Sequence, residues 1–172
     1  MITYLFNIQS ISLLVSLQNN GLKYLEFAMG IFLRTEFSCG AVVYGIDNQK
    51  IRFLLLRYFP GHWDFPKGNQ ERGENHSDTI SREVKEETGI SDLTFIEGFE
   101  KEMSYKYTRQ NQLISKKVVY LLARTNSKDV VLSSEHTDFV WAPYESALER
   151  LTYKKSKEIL TEGYKYLKNY NF

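Results

Sequence analysis

Apolar positions change their spacing several times along this chain, and each change marks an element. SCGAVVY (38–44) and IRFLLLR (51–57) are short apolar runs that read as strands. GIDNQK between them carries the Gly, Asp and Asn of a hairpin turn, so the two strands are expected to be neighbours. FPGHWDFPKG (59–68) holds two prolines and two glycines and predicts a structured loop with a short strand at Trp63–Phe65. A helix is expected from about Ser77 to Thr88. Asn75 is its N-cap, Asp78 stands in the capping-box position, and Gly89 is its stop. LTFIEGFEKEMSY (93–105) and KKVVYLLART (116–125) read as longer strands, joined by YKYTRQNQLIS as a polar, flexible connection. DFVWA (138–142) is a weaker strand. Two helical patterns follow Pro143, and the second, Lys154–Asn169, sets Ile159, Leu160, Gly163, Tyr164 and Leu167 on one face. Strands mixed with helices in this order predict an α/β domain with helices on both sides of a mixed sheet.

Residues 1–30 stand apart as an N-terminal extension, and 31–172 form the expected domain. Met1 to Leu22 carry no charge, yet polar residues such as Asn7, Gln9 and Asn19 interrupt them too often for a membrane span. With no basic leader and no small-residue cleavage site, a secretory signal is not expected. Three readings stay open: a helix packed on the domain, a weak interfacial anchor, or upstream sequence translated from a misassigned start. Met29, just ahead of the first strand, favours the last. The net charge of +1 gives no global field for DNA or for an anionic membrane, so any attraction to phosphate must come from local clusters. Cys39 is the single cysteine; it excludes an internal disulfide and fits a reducing, cytoplasmic setting. In an apolar run it reads as a small buried residue.

The predicted helix ends in a crowd of carboxylates. With Arg82 as zero, at 100° per residue, Glu86 falls at about 40°, Glu83 at about 100° and Glu87 at about 140°; Ile80 and Val84 lie between about 160° and 200°. The acids therefore border the apolar stripe instead of facing away from it, and their mutual repulsion needs an offsetting positive charge. Oxygen ligands alone suit a hard divalent cation, Mg²⁺ or Mn²⁺, and with no Cys or His on that face zinc is disfavoured. Arg82 can pair with a neighbouring glutamate and fix its orientation.

Gly68, five residues, Glu74, seven residues, then Arg82-Glu83-Val84-Lys85-Glu86-Glu87-Thr88-Gly89-Ile90 resembles the complete Nudix box. That resemblance implies the Nudix fold, an α/β/α sandwich around a mixed β-sheet. It also implies hydrolysis of a nucleoside diphosphate linked to another group, with Mg²⁺ or Mn²⁺ held by Glu83, Glu86, Glu87 and the Lys67 carbonyl. One carboxylate would accept the proton of the attacking water. Glu86 and Glu135, the latter in LSSEHTDF, are the candidates, and Glu102 is a weaker third. GHWDFPKG, SSEHTDFVW and LTEGYKYL are further similar to the asymmetrical diadenosine tetraphosphate hydrolases of the animal and archaeal type. This implies a nucleotide substrate with one adenine clamped between Phe139 and either Tyr105 or Tyr107. It also implies polyphosphate contacts from His62, Lys67 and Lys116, with Lys106, Arg109 and Lys117 adding charge nearby. Asn69 departs from the His that many relatives carry after the Lys-Gly pair, and the 105–116 connection is longer than that subgroup suggests. Alternatives are an RNA 5′-pyrophosphohydrolase, another nucleoside-diphosphate hydrolase, or a nucleotide-sensing regulator without activity. The regulator would be expected to have lost part of the Arg82–Glu87 set, which is complete. A monomer is expected.

Overall fold

The computed structural model describes residues 34–59, 61–110 and 112–169. The expectations for residues 1–30, and the boundary after them, lie outside the described residues. The described residues form two compact units, the smaller made of 34–35, 106–110 and 112–115, the larger of 36–59, 61–105 and 116–169.

Seven strands build one mixed sheet: β1 (Arg34–Asp47), β2 (Lys50–Tyr58), β3 (Trp63–Asp64), β4 (Lys67–Asn69), β5 (Thr94–Arg109), β6 (Gln112–Arg124) and β7 (His136–Ala142). Their order is β3-β2-β1-β6-β5, with β4 paired to β1 and β7 to β2. The β1–β2 hairpin closes through Asn48 and Gln49, both at positive φ (48° and 62°), the two-residue turn whose twist matches the flanking strands. β4 has no apolar pattern and was not foreseen from sequence. It pairs antiparallel with β1, setting Gly68 opposite Cys39 and Lys67 opposite Gly40. The 105–116 segment corrects an expectation. Most of it continues β5 to Arg109 and begins β6 at Gln112, and Gln110 takes a positive φ of 51° at the turn.

Period-two alternation sorts the strand residues into two cores. Val42, Tyr44, Phe53, Leu55, Val118 and Tyr120 join one cluster with Ala147 of helix α2 (Tyr144–Arg150) and with Ile159, Leu160 and Leu167 of helix α3 (Lys154–Asn169). Cys39, Ala41, Val43, Leu54 and Leu56 join the other, with Ile80 and Val84 of helix α1 (His76–Thr88). Helices thus cover both faces, the α/β/α sandwich. Burial pushes the Cys39 thiol up to about 11, so it is an inert packing group. Among the described residues no helix is long and apolar enough to cross a membrane.

Helix α1 is fixed at both ends. Asn75 accepts from the Asp78 N–H at 2.9 Å, and Asp78 accepts from the Asn75 N–H at 3.2 Å. Gly89 takes the left-handed conformation (φ 76°) and donates to the Lys85 carbonyl at 2.8 Å.

Candidate active site

Helix α1 lies against β4, and the contact is set by one missing side chain. The space where a Cβ of Gly68 would project is filled by the Glu83 carboxylate, so any larger residue would displace it. Arg82 ties the surrounding carboxylates together. Its Nε and Nη2 donate to the two oxygens of Glu74 at 2.7 and 3.0 Å, a bidentate pair. Nη2 also reaches the Asn69 carbonyl at 2.9 Å, and Nη1 reaches Glu83 at 2.8 Å and Glu86 at 3.3 Å. Glu74 accepts from Thr79 Oγ1 and the Glu71 N–H besides; the Arg82 bonds above all hold its carboxyl down to about 2.

The three glutamates of α1 differ sharply in exposure. The Glu86 side chain is 59% exposed, that of Glu83 14% and that of Glu87 5%. Glu87 Oε2 accepts the Lys67 backbone N–H at 3.1 Å, and Oε1 faces His136 Nε2 at 3.6 Å. Burial pushes Glu87 up to about 8; the Lys67 ammonium opposes the shift and the Glu83 charge adds to it. Burial also raises Glu83, against the pull of Arg82 and with the help of Glu86 and Glu135. Burial thus disfavours the charged form of both carboxyls, that of Glu87 most. Among the described residues no three acidic, His or Cys side chains close into a cage, and the Arg82 guanidinium bonds both Glu83 and Glu86. Hard oxygen donors and two strained carboxyls nonetheless fit a hard divalent cation, whose charge would relieve both.

Around this helix the other expected residues fall in different places. Lys67 Nζ pairs with the buried Asp64 at 3.1 Å and lies 3.9 Å over the Tyr58 ring, so its ammonium is largely committed inside the protein. His62 stacks on Tyr58 with ring centroids 4.9 Å apart, and desolvation, then Lys67, lowers its pKa. Lys116 Nζ lies 3.5 Å from Asn69 Oδ1 and 3.8 Å from Glu36. Glu102 pairs with Lys117 at 2.6 Å on the β5–β6 arms. Glu135 is exposed, and its charge contributes to the raised pKa of both Glu83 and Glu87. Tyr107 belongs to the smaller unit.

The expected clamp of Phe139 with Tyr105 is corrected by the fold. Phe139 sits opposite Leu56 and packs with the cluster under α1, whereas Tyr105 packs with the cluster under α2 and α3. Side chains on opposite faces of a sheet cannot close on one ring. Sequence reasoning missed Tyr153 in the α2–α3 link. It is 48% exposed, with its ring 5.4 Å from that of His62. It also missed His136, whose side chain is fully enclosed and whose Nδ1 lies 3.1 Å from Ser133 Oγ. Burial, then the Lys67 charge, lowers its pKa to about 4, so the ring is neutral. The sequence signal was an isolated His at a strand start, next to the acid already singled out.

A glycine under a glutamate-bearing helix, with an arginine binding its acids together, defines a class. The chain belongs to the Nudix family: residues 37–162 match the NUDIX domain. More particularly, it is similar to the asymmetrical bis(5′-nucleosyl)-tetraphosphatase of Mus musculus, at 39% identity over 142 residues, 76% of this chain and 94% of that one. The enzyme of that name from Caenorhabditis elegans is 35% identical over 72% of this chain and 90% of its own length. A solved binary complex of a C. elegans Ap4A hydrolase superposes with a TM-score of 0.70 at 32% identity, covering 78% of this chain and 99% of that one.

Proposed function

We propose that the protein hydrolyses dinucleoside polyphosphates, splitting diadenosine tetraphosphate with one water into ATP and AMP. The observation that carries this reading is the complete Arg82, Glu83, Glu86 and Glu87 set over Gly68, in a chain similar over most of its length to enzymes named for that reaction. Glu83, Glu86 and Glu87 would hold Mg²⁺ or Mn²⁺, which when bound supplies charge neutralisation at phosphate oxygens and acidifies a water. Arg82, anchored on Glu74, sets the orientation of the Glu83 carboxylate and keeps it over Gly68. Glu86, the most exposed of the three glutamates, accepts the proton of the attacking water on a carboxylate oxygen. Glu135 adds negative charge that keeps its neighbours drawn to cations. Lys116 offers an ammonium to the polyphosphate beside Asn69, and His62 a neutral ring nitrogen. Tyr153 offers an exposed face for an adenine.

Incubation with Mg²⁺ and a panel of diadenosine tetraphosphate, triphosphorylated RNA and nucleotide sugars tests the reading. ATP and AMP in equal amounts, formed faster than any other product, are expected. Fastest processing of the RNA overturns the substrate assignment, and two ADP molecules overturn the asymmetry. Glu86→Gln is expected to lower kcat by more than about tenfold, roughly 1.4 kcal/mol of barrier, with melting temperature almost unchanged because the side chain is exposed. Retained turnover removes Glu86 from the proton transfer.

A further inference from the structure

One enclosed polar atom beside the site has no partner. The side chain of His136 is 0% exposed, and its Nε2 makes no hydrogen bond. Leaving such a nitrogen unpaired in an enclosed position is unfavourable. The acid it faces is Glu87, with Oε1 at 3.6 Å, just beyond hydrogen-bond length. On the far side of the ring, Ser133 Oγ lies 3.1 Å from Nδ1. The Ser133 backbone N–H donates to the main-chain carbonyl of Glu87 at 3.1 Å, and the Val131 N–H to that of Thr88 at 2.9 Å. Segment 131–136 is therefore fastened to the last turn of α1, the turn that carries Glu87. Tyr58 meets the imidazole edge-on at 4.3 Å and limits its rotation.

We propose that Ser133 and His136 are a positioning pair for Glu87: the Ser133 hydroxyl donates to Nδ1, which leaves the single ring proton on Nε2, aimed at Glu87 Oε1. The two carboxylate oxygens then have one protein donor each, the His136 N–H and the Lys67 amide, and each keeps a lone pair for a cation. A movement of a few tenths of an ångström brings 3.6 Å within bonding range. His136 acts only through Glu87. The pairing rests on the reading of α1 as a cation-holding helix. Were the imidazole only a filler, an apolar side chain would serve as well and its tautomer would have no consequence.

The first test is ¹⁵N NMR of the Mg²⁺-saturated protein, in which Glu87 is a carboxylate. The His136 resonances are expected to report the Nε2–H tautomer, and an Nδ1–H tautomer overturns the assignment. The second is calorimetric titration of Mn²⁺, without nucleotide, into the wild type, His136→Leu, His136→Gln and Ser133→Ala. Glutamine keeps an N–H near the position of Nε2, whereas leucine does not. Mn²⁺ affinity is expected to fall about tenfold or more in His136→Leu, to stay within about threefold of wild type in His136→Gln, and to be intermediate in Ser133→Ala. Equal affinity in the leucine and glutamine variants overturns the proposal. If His136→Leu does not fold, Ser133→Ala and the tautomer decide it. Neither readout involves substrate. Mn²⁺ behaviour as expected in a protein that leaves every nucleotide intact would sink the hydrolase reading and leave this pairing standing; a wild type that binds no Mn²⁺ sinks the pairing.

Discussion

At Gly68 a hydrogen in place of a methyl group decides where the Glu83 carboxylate can lie. Gly68→Ala is expected to lower kcat/KM for diadenosine tetraphosphate at least about tenfold, about 1.4 kcal/mol, while the protein stays folded by circular dichroism. Unchanged kinetics would show that Glu83 has room elsewhere. Glu87 makes a second residue-scale prediction through pH. Its carboxyl sits at about 8 when folded against an ordinary 4.5, so the folded chain keeps a proton that the unfolded chain has released. The cation-free protein should therefore lose stability as pH rises from about 5 to about 8. Melting temperatures across that range check the sign. Glu87→Gln should flatten the profile, and Mn²⁺ binding near neutral pH should release protons to the buffer.

At the scale of elements, α1 must be both a stable helix and a rigid mount. Its capping box supplies two hydrogen bonds at the first turn, and Asn75→Ala should cost about 1 kcal/mol in urea unfolding. Turnover per folded molecule should hold, because the acids lie at the other end. A loss well below about 0.5 kcal/mol would mean that packing alone holds the turn. The helix was also the most legible element. The angular distances of Glu87, Glu83 and Glu86 from the Ile80–Val84 stripe rise in that order, and so do their exposures of 5%, 14% and 59%. The β5–β6 arms were less legible. Tyr105 and Tyr107 are half-buried while Lys106 and Thr108 are exposed, a period of two masked by the polar content of YKYTR. β4 was illegible because three residues carry no period, and only the partner residues Ser38–Gly40 make it a strand.

At the scale of the whole molecule, the sheet decides which side chains can meet. Phe139 lies among the packing residues under α1, so Phe139→Ala should destabilise the fold by about 3 kcal/mol or less for a half-buried ring, with KM nearly unchanged. Tyr153→Ala should do the reverse, raising KM for diadenosine tetraphosphate about tenfold with little loss of melting temperature. A raised KM in the Phe139 variant alone would return the base to that ring. The two variants measured side by side separate packing from stacking.

Spacing along the chain was enough to place α1, the paired strands β1 and β2, both C-terminal helices, and the acids that crowd one helix face. These are local properties: a period of 3.6 or 2 fixes which side of its own element a residue occupies, and caps and turn residues fix where the element ends. Meetings between distant segments were settled by the fold. The pairing of Gly40 with Lys67 brings Gly68 under Glu83, the β2–β7 register brings His136 to Glu87, and the two faces of the sheet part Phe139 from Tyr105. No period within one segment records the register of another, because that register is chosen by packing across the whole sheet.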